Sequence, residues 1–121
     1  MNSSDLNIAI VGATGAAGGT ALKLLLERGH PSDKITLMAS SRSAGRKIPY
    51  GDDQIVIAEA ASDTFHGVDV ALFAAGGLVS RRLAPRAVEQ GVFVIDRNNI
   101  NINLEEMEME LIDFGLETFD V

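Results

Sequence analysis

The chain alternates between two hydrophobic rhythms. Asn7 to Val11 (NIAIV) is a β-branched apolar run without alternation, the pattern of a strand buried on both faces. From Thr20 to Arg28 the apolar positions Ala21, Leu22, Leu24, Leu25 and Leu26 form a broad helical stripe. Gly29 ends that helix and Pro31 prevents its continuation. Extended runs return at 34–40, 54–60 and 69–77, the last closing on paired glycines. Residues 41–53 (SRSAGRKIPYGDD) read as a loop, or a loop with a short edge strand. Leu83 to Gln90 is helical, with Pro85 near its start and Gly91 past its end. Val92 to Asp96 (VFVID) is a fifth strand, and Asn98 to Asn103 a loop.

The last stretch has its own pattern. Leu104, Met107, Leu111 and Phe114 make one apolar helical stripe, with Asn103 as N-cap, Glu106 at N3 and Gly115 as terminator. Glu117 to Val121 alternates and predicts a sixth, edge strand. Strands alternating with helices imply crossovers and a mainly parallel sheet. The expected fold is α/β: a Rossmann-like, doubly wound sheet of about six strands with helices on both faces. Residues 1–121 are expected to form a single domain, its core in 1–100 and its acidic helix-strand tail in 101–121.

Composition narrows the function classes. The 121 residues are 46% hydrophobic, ordinary for one globular domain. No apolar run approaches the ~20 residues of a membrane span, and the first residues lack the pattern of a signal peptide. Cytoplasmic residence is the expectation. There is no cysteine, which excludes disulfides, thiolate metal sites and a thiol nucleophile. The net charge of −7 resides in residues 101–121, which hold seven acids and no base, while acids and bases balance before them. An acidic surface there argues against a nucleic-acid partner.

The junction after the first strand carries the sharpest signal. Gly12, Gly15 and Gly18 stand three apart between a strand and a helix, a variant of the dinucleotide-binding turn. Gly12 lets the chain leave the strand tightly. Gly15 lets backbone approach a pyrophosphate, and Gly18 lets the helix pack closely. Thr14 offers a hydroxyl. The backbone through Ala16 and Ala17 offers N–H groups at the positive end of the helix dipole. The plainer reading is a tight turn with no ligand. At the end of the second strand, where an NAD site usually carries an acid, the sequence has none; Ser40, Arg42 and Ser43 suit a 2′-phosphate instead, with Arg46 and Lys47 nearby. NADP is therefore expected over NAD.

These segments resemble the N-terminal cofactor domain of aspartate-semialdehyde dehydrogenase. GATGAAG (12–18) is similar to that family's phosphate turn and ASSRSAGRK (39–47) to its 2′-phosphate loop. Residues 69–96 are similar to its fourth strand, glycine pair, helix and fifth strand. The resemblance covers about residues 7–97. It implies that Ala75, Gly76 and Gly77 lie along the nicotinamide half of the cofactor. The family usually follows "VID" with Asn-Ser-Ser, where this chain has Arg97, Asn98 and Asn99. The family's catalytic cysteine, histidine base and substrate arginines belong to a later region without counterpart here. The expectation is an NADP-binding module that is not by itself an enzyme, with a homodimer as an allowed assembly. Residues 104–115 (LEEMEMELIDFG) resemble a segment of the YebC family of regulators, which suggests a chimera.

Rival chemistries are thinner. A short-chain dehydrogenase needs a tyrosine with a lysine four residues on, and Tyr50 is followed by Gln54. An NADP-sensing binding protein or a ligand-free chimeric fold needs no such pair. His30 and His66 read as surface residues rather than metal ligands. Glu105, Glu106, Glu108 and Glu110 read as a solvated face, Ser80 as a helix-start cap, and Arg81, Arg82 and Arg86 as a solvated helix face.

Overall fold

The computed structural model describes residues 5–61, 65–75 and 77–96. In chain order they form β1 (Ile8–Val11), α1 (Ala16–Glu27), a 3₁₀ turn (Ser32–Lys34), β2 (Ile35–Ala39), β3 (Lys47–Tyr50), β4 (Asp53–Glu59), β5 (Val70–Phe73), α2 (Gly77–Glu89) and β6 (Phe93–Asp96). The six strands make one sheet in the order β3-β4-β2-β1-β5-β6. All neighbours are parallel except β3, which runs antiparallel to β4 at the edge. This is the Rossmann-like fold that the alternating pattern predicts. The sixth strand described is the optional edge strand within 41–53. The helix and strand expected in 101–121 lie outside the described residues.

β1 sits at the centre, and all four of its residues are fully or almost fully buried. Its side chains alternate between two cores. Ile8 and Ile10 join Leu22, Leu25 and Leu37 under α1. Ala9 and Val11 join Phe73, Leu83 and Ala87 under α2. A helix thus covers each face, which explains why the central strands are apolar without alternation. Small residues on the second face, Ala9, Ala71 and Ala87, let α2 lie close, while Phe65 and Phe73 stack with ring centroids 5.8 Å apart.

Both helices stop in the same way. Past α1, Gly29 takes φ +73° and donates to the Leu26 carbonyl while His30 N–H donates to Leu25. Past α2, Gly91 takes φ +82° and donates to Val88 while Val92 N–H donates to Ala87. Each is a Schellman closure, with glycine in the left-handed position that a side chain would strain.

Three expectations need correction. Both helices begin earlier than their apolar stripes: α1 opens at Ala16 and α2 at Gly77. Pro85 is consequently interior to α2, where it removes one N–H bond. Pro85 and Arg81, whose carbonyl would have accepted that bond, are both on the exposed side of α2, where water can replace it. Ser80 therefore stands inside α2 rather than at its start; it is buried and donates to Asp96 Oδ1 at 3.1 Å. His30 is not a surface residue either. It is 7% exposed, with Nε2 3.0 Å from the Leu6 carbonyl oxygen, and burial lowers its pKa from the ordinary histidine value. The Schellman closure turns the chain inward at this position, so the side chain after the glycine packs over the helix end. Tyr50 donates to the His30 carbonyl at 2.5 Å, and its own burial pushes its pKa up to about 12. His66 is exposed as expected.

Candidate dinucleotide cleft

The chain runs from β1 to β2 on one side and later to β5 on the other, so the order reverses beside β1. In an open α/β sheet such a reversal leaves a crevice at the carboxyl ends of the strands. A cleft of about 610 Å³ lies there. Its floor is Val11, Gly12, Thr14 and Gly15 after β1, with Ala74 and Ala75 after β5. One wall is Ala39, Ser40 and Ser41 after β2, with Glu59 and Ala60 after β4. The other wall is Val79 and Arg82 of α2.

The three glycines of the turn do different work. Gly12 has φ +91°, and a Cβ there would sit 2.6 Å from the Ala75 nitrogen. Its N–H donates to the Met38 carbonyl at 2.8 Å, so the turn is tied to β2 as well as pressed against β5. A Cβ on Gly18 would collide with the Gly12 carbonyl oxygen. The close packing at Gly18 is thus against the turn itself. Gly15 differs: its φ is −82°, and a Cβ there would meet only the Gly12 oxygen at 3.5 Å, an ordinary contact. The fold requires bare backbone at Gly12 and Gly18 but leaves room for a side chain at Gly15, which faces the cleft.

Gly15 is also the N-cap of α1. No side chain caps this helix end, and its first turn carries no acid. The opening N–H groups, those of Ala16 and Ala17 among them, are therefore available at the positive end of the helix dipole. Ala16 is exposed and Ala17 half-buried, and neither side chain lines the cleft.

The segment after β2 is a tight arch. Ser43 and Ala44 N–H both donate to the Ser40 carbonyl at 3.0 Å. Gly45 N–H then donates to Ile57 at 2.8 Å, and Ile57 N–H to Arg46 at 2.8 Å. Because β2 and β3 flank β4, the arch 40–46 crosses the carboxyl end of β4. Ser40 lines the cleft; exposed Arg42 and half-buried Ser43 stand in the arch beyond that lining. On the β5 side Ala75 lines the cleft and Gly77 opens α2, while Gly76 lies outside the described residues.

The pattern missed Ser41, Glu59, Ala60, Val79 and Arg82. Arg82 is on the solvated face of α2 as expected, but that face is also the cleft wall. Glu59 is hidden in the sequence because the dinucleotide pattern places its acid on the second strand, and the order that sets β4 beside β2 is a tertiary fact. Tyr50 is at the opposite end of the sheet, paired with Asp53 at the start of β4. Among the described residues, no three acids or histidines converge as a metal site, and no helix is long and apolar enough to cross a membrane.

A glycine turn at an uncapped helix start, placed at the switch point of a parallel sheet, defines a nucleotide-binding Rossmann-like domain. The chain belongs to the family described as "Semialdehyde dehydrogenase, NAD binding domain", whose model matches residues 7–101. It is 47% identical over 94 residues to aspartate-semialdehyde dehydrogenase of Bacillus subtilis, covering 78% of this chain and 27% of that one. The structure of a probable aspartate-semialdehyde dehydrogenase from Pseudomonas aeruginosa superposes with TM-score 0.71 at 38% identity, over 79% of this chain and 29% of that one. The Candida albicans enzyme, solved with NADP, shares the fold with TM-score 0.57 at 23% identity, over 97% and 41%. The chain thus spans little more than a quarter of the Bacillus relative's length. These matches lend no support to the YebC likeness of 104–115 or to a chimera.

Proposed function

We propose that this chain binds NADP across the cleft and serves as the cofactor module for semialdehyde chemistry of the kind its relatives' names describe. The observation that carries this reading is Gly15, bare where the fold does not need it, at a helix start that no side chain caps. A pyrophosphate there would lie against the turn Gly12, Thr14, Gly15, Ala16, Ala17 and Gly18 and receive N–H groups from the helix start, those of Ala16 and Ala17 among them, since the N–H of Gly12 is already given to Met38 and that of Gly15 to the Gly12 carbonyl. Ser40, Arg42 and Ser43 would hold the 2′-phosphate. Ala75, Gly76 and Gly77 would run beside the nicotinamide, whose ring supplies the hydride-carrying centre when bound.

We read residues 1–121 as one such unit, residing in the cytoplasm and open to homodimer formation. The catalytic step needs a nucleophile, a base and an anion clamp. This cysteine-free chain offers no thiol nucleophile, so our reading assigns it binding without turnover. Reduction of NADP with aspartate semialdehyde and phosphate above the enzyme-free rate would overturn that part.

Calorimetric titration with NADP and NAD tests the binding. NADP is expected to bind more tightly, and Arg42→Ala to weaken NADP by roughly tenfold while leaving NAD nearly unchanged, the loss of one charge-assisted phosphate contact. Equal affinities, or no binding at millimolar cofactor, would contradict the reading.

A further inference from the structure

Glu59 ends β4 in register with Ala39, the last residue of β2. Its side chain is exposed and lines the cleft. Two residues earlier, Ile57 holds both ends of a backbone clamp with Gly45 and Arg46. Glu59 therefore stands at the carboxyl end of the strand that the 40–46 arch crosses. Ser40 and Ser41 are on one side of it, and the arch carrying Arg42 and Arg46 is overhead. No hydrogen bond or ion pair within the described residues engages its carboxylate. A carboxylate is an acceptor for a ribose hydroxyl and repels a phosphate.

We propose that Glu59 is a specificity-determining residue of the cleft. It accepts from the 2′-hydroxyl of NAD and opposes the 2′-phosphate of NADP, and so offsets the arginines of the arch. This rests on the dinucleotide reading above. Glu59 supplies the acid that the end of β2 lacks, from the neighbouring strand. The chain then discriminates between the two cofactors less sharply than its basic arch alone would dictate.

The test is Glu59→Gln, which keeps size and hydrogen-bonding capacity and removes the charge. Calorimetry with NADP, NAD, 2′,5′-ADP and 5′-AMP is run on both proteins at low and high salt. Binding of NADP and 2′,5′-ADP should strengthen by about five- to tenfold at low salt, the scale of one like-charge repulsion a few ångströms away in solvent. The gain should shrink at high salt as the repulsion is screened. NAD and 5′-AMP should weaken or stay within about twofold. A variant whose four affinities all change together would show Glu59 to be a prop for the arch and overturn the proposal. Unchanged affinities with wild-type binding intact would also overturn it while leaving the dinucleotide reading in place. No binding of any ligand to the wild type would overturn both.

Discussion

Three glycines three residues apart look equivalent in the sequence, yet only two are dictated by the fold. Gly12 combines a left-handed backbone with contact against Ala75, and Gly18 abuts the Gly12 carbonyl. Gly12→Ala and Gly18→Ala should therefore destabilise strongly, by about 2–4 kcal/mol or more each, since the obstacles are backbone atoms that cannot swing aside. Gly15→Ala meets no such obstacle. Its cost should be about 1 kcal/mol or less, the ordinary price of an alanine at an N-cap, while NADP binding falls at least tenfold because the methyl occupies the phosphate's approach. Thermal melts and titrations of the three variants check this. A Gly15→Ala protein that melts like wild type and binds NADP as well would show that this glycine is incidental. Gly15 was legible from spacing alone, but its distinction from its neighbours was not, because the distances that separate them belong to other segments.

Among the elements, the strands were the most legible. β1, β2 and β5 are buried in the middle of the sheet, β4 buries Ile55 and Ile57 and β6 buries Ile95, so their hydrophobic runs report on their surroundings. The sequence of β3 allows either a loop or a strand because Lys47 and Pro49 are exposed at an edge, where tertiary pairing with β4 decides the conformation. The helix starts were obscured for another reason. Gly18 and Gly19 weaken the local signal of α1, and Pro85 points to a start that α2 does not use. Burial of His30 likewise follows from the closure of α1 and from the Leu6 carbonyl, a partner 24 positions away. This burial has a consequence for stability. The folded chain holds off a proton that the unfolded chain accepts near pH 6.5. The stabilising contribution of neutral His30 is thus complete above about pH 6.5 and is lost as pH falls toward its lowered folded value. The melting temperature should drop between pH 7.5 and pH 5.5, and His30→Gln, which keeps a donor for Leu6 but does not titrate, should flatten that slope. An identical slope in the variant would remove His30 as its source.

At the scale of the whole molecule, sheet order turns separate motifs into one site. The glycine turn, the arch and the Ala74–Ala75 segment are far apart in the chain, yet all three lie at the carboxyl ends of adjacent strands. Resemblance to the aspartate-semialdehyde dehydrogenase family links these motifs from the sequence alone. It could not show Glu59 and Arg82 on facing walls, since Glu59 lies outside the three similar segments and nothing in the pattern of 69–96 sets Arg82 apart from its neighbours. At 12.8 kDa the chain is small enough for residue-by-residue nuclear magnetic resonance. Titrating ¹⁵N-labelled protein with NADP tests the central claim most directly, because it asks where a dinucleotide lies as well as whether it binds. The expected result is saturable shifts of the amides of Gly12 to Gly18, Ser40 to Ser43, Glu59, Ala60, Ala74 and Ala75, with Tyr50 and His30 at the opposite end of the sheet unmoved. No shifts at millimolar NADP, or shifts that leave the Gly12–Gly18 amides untouched, would contradict the account.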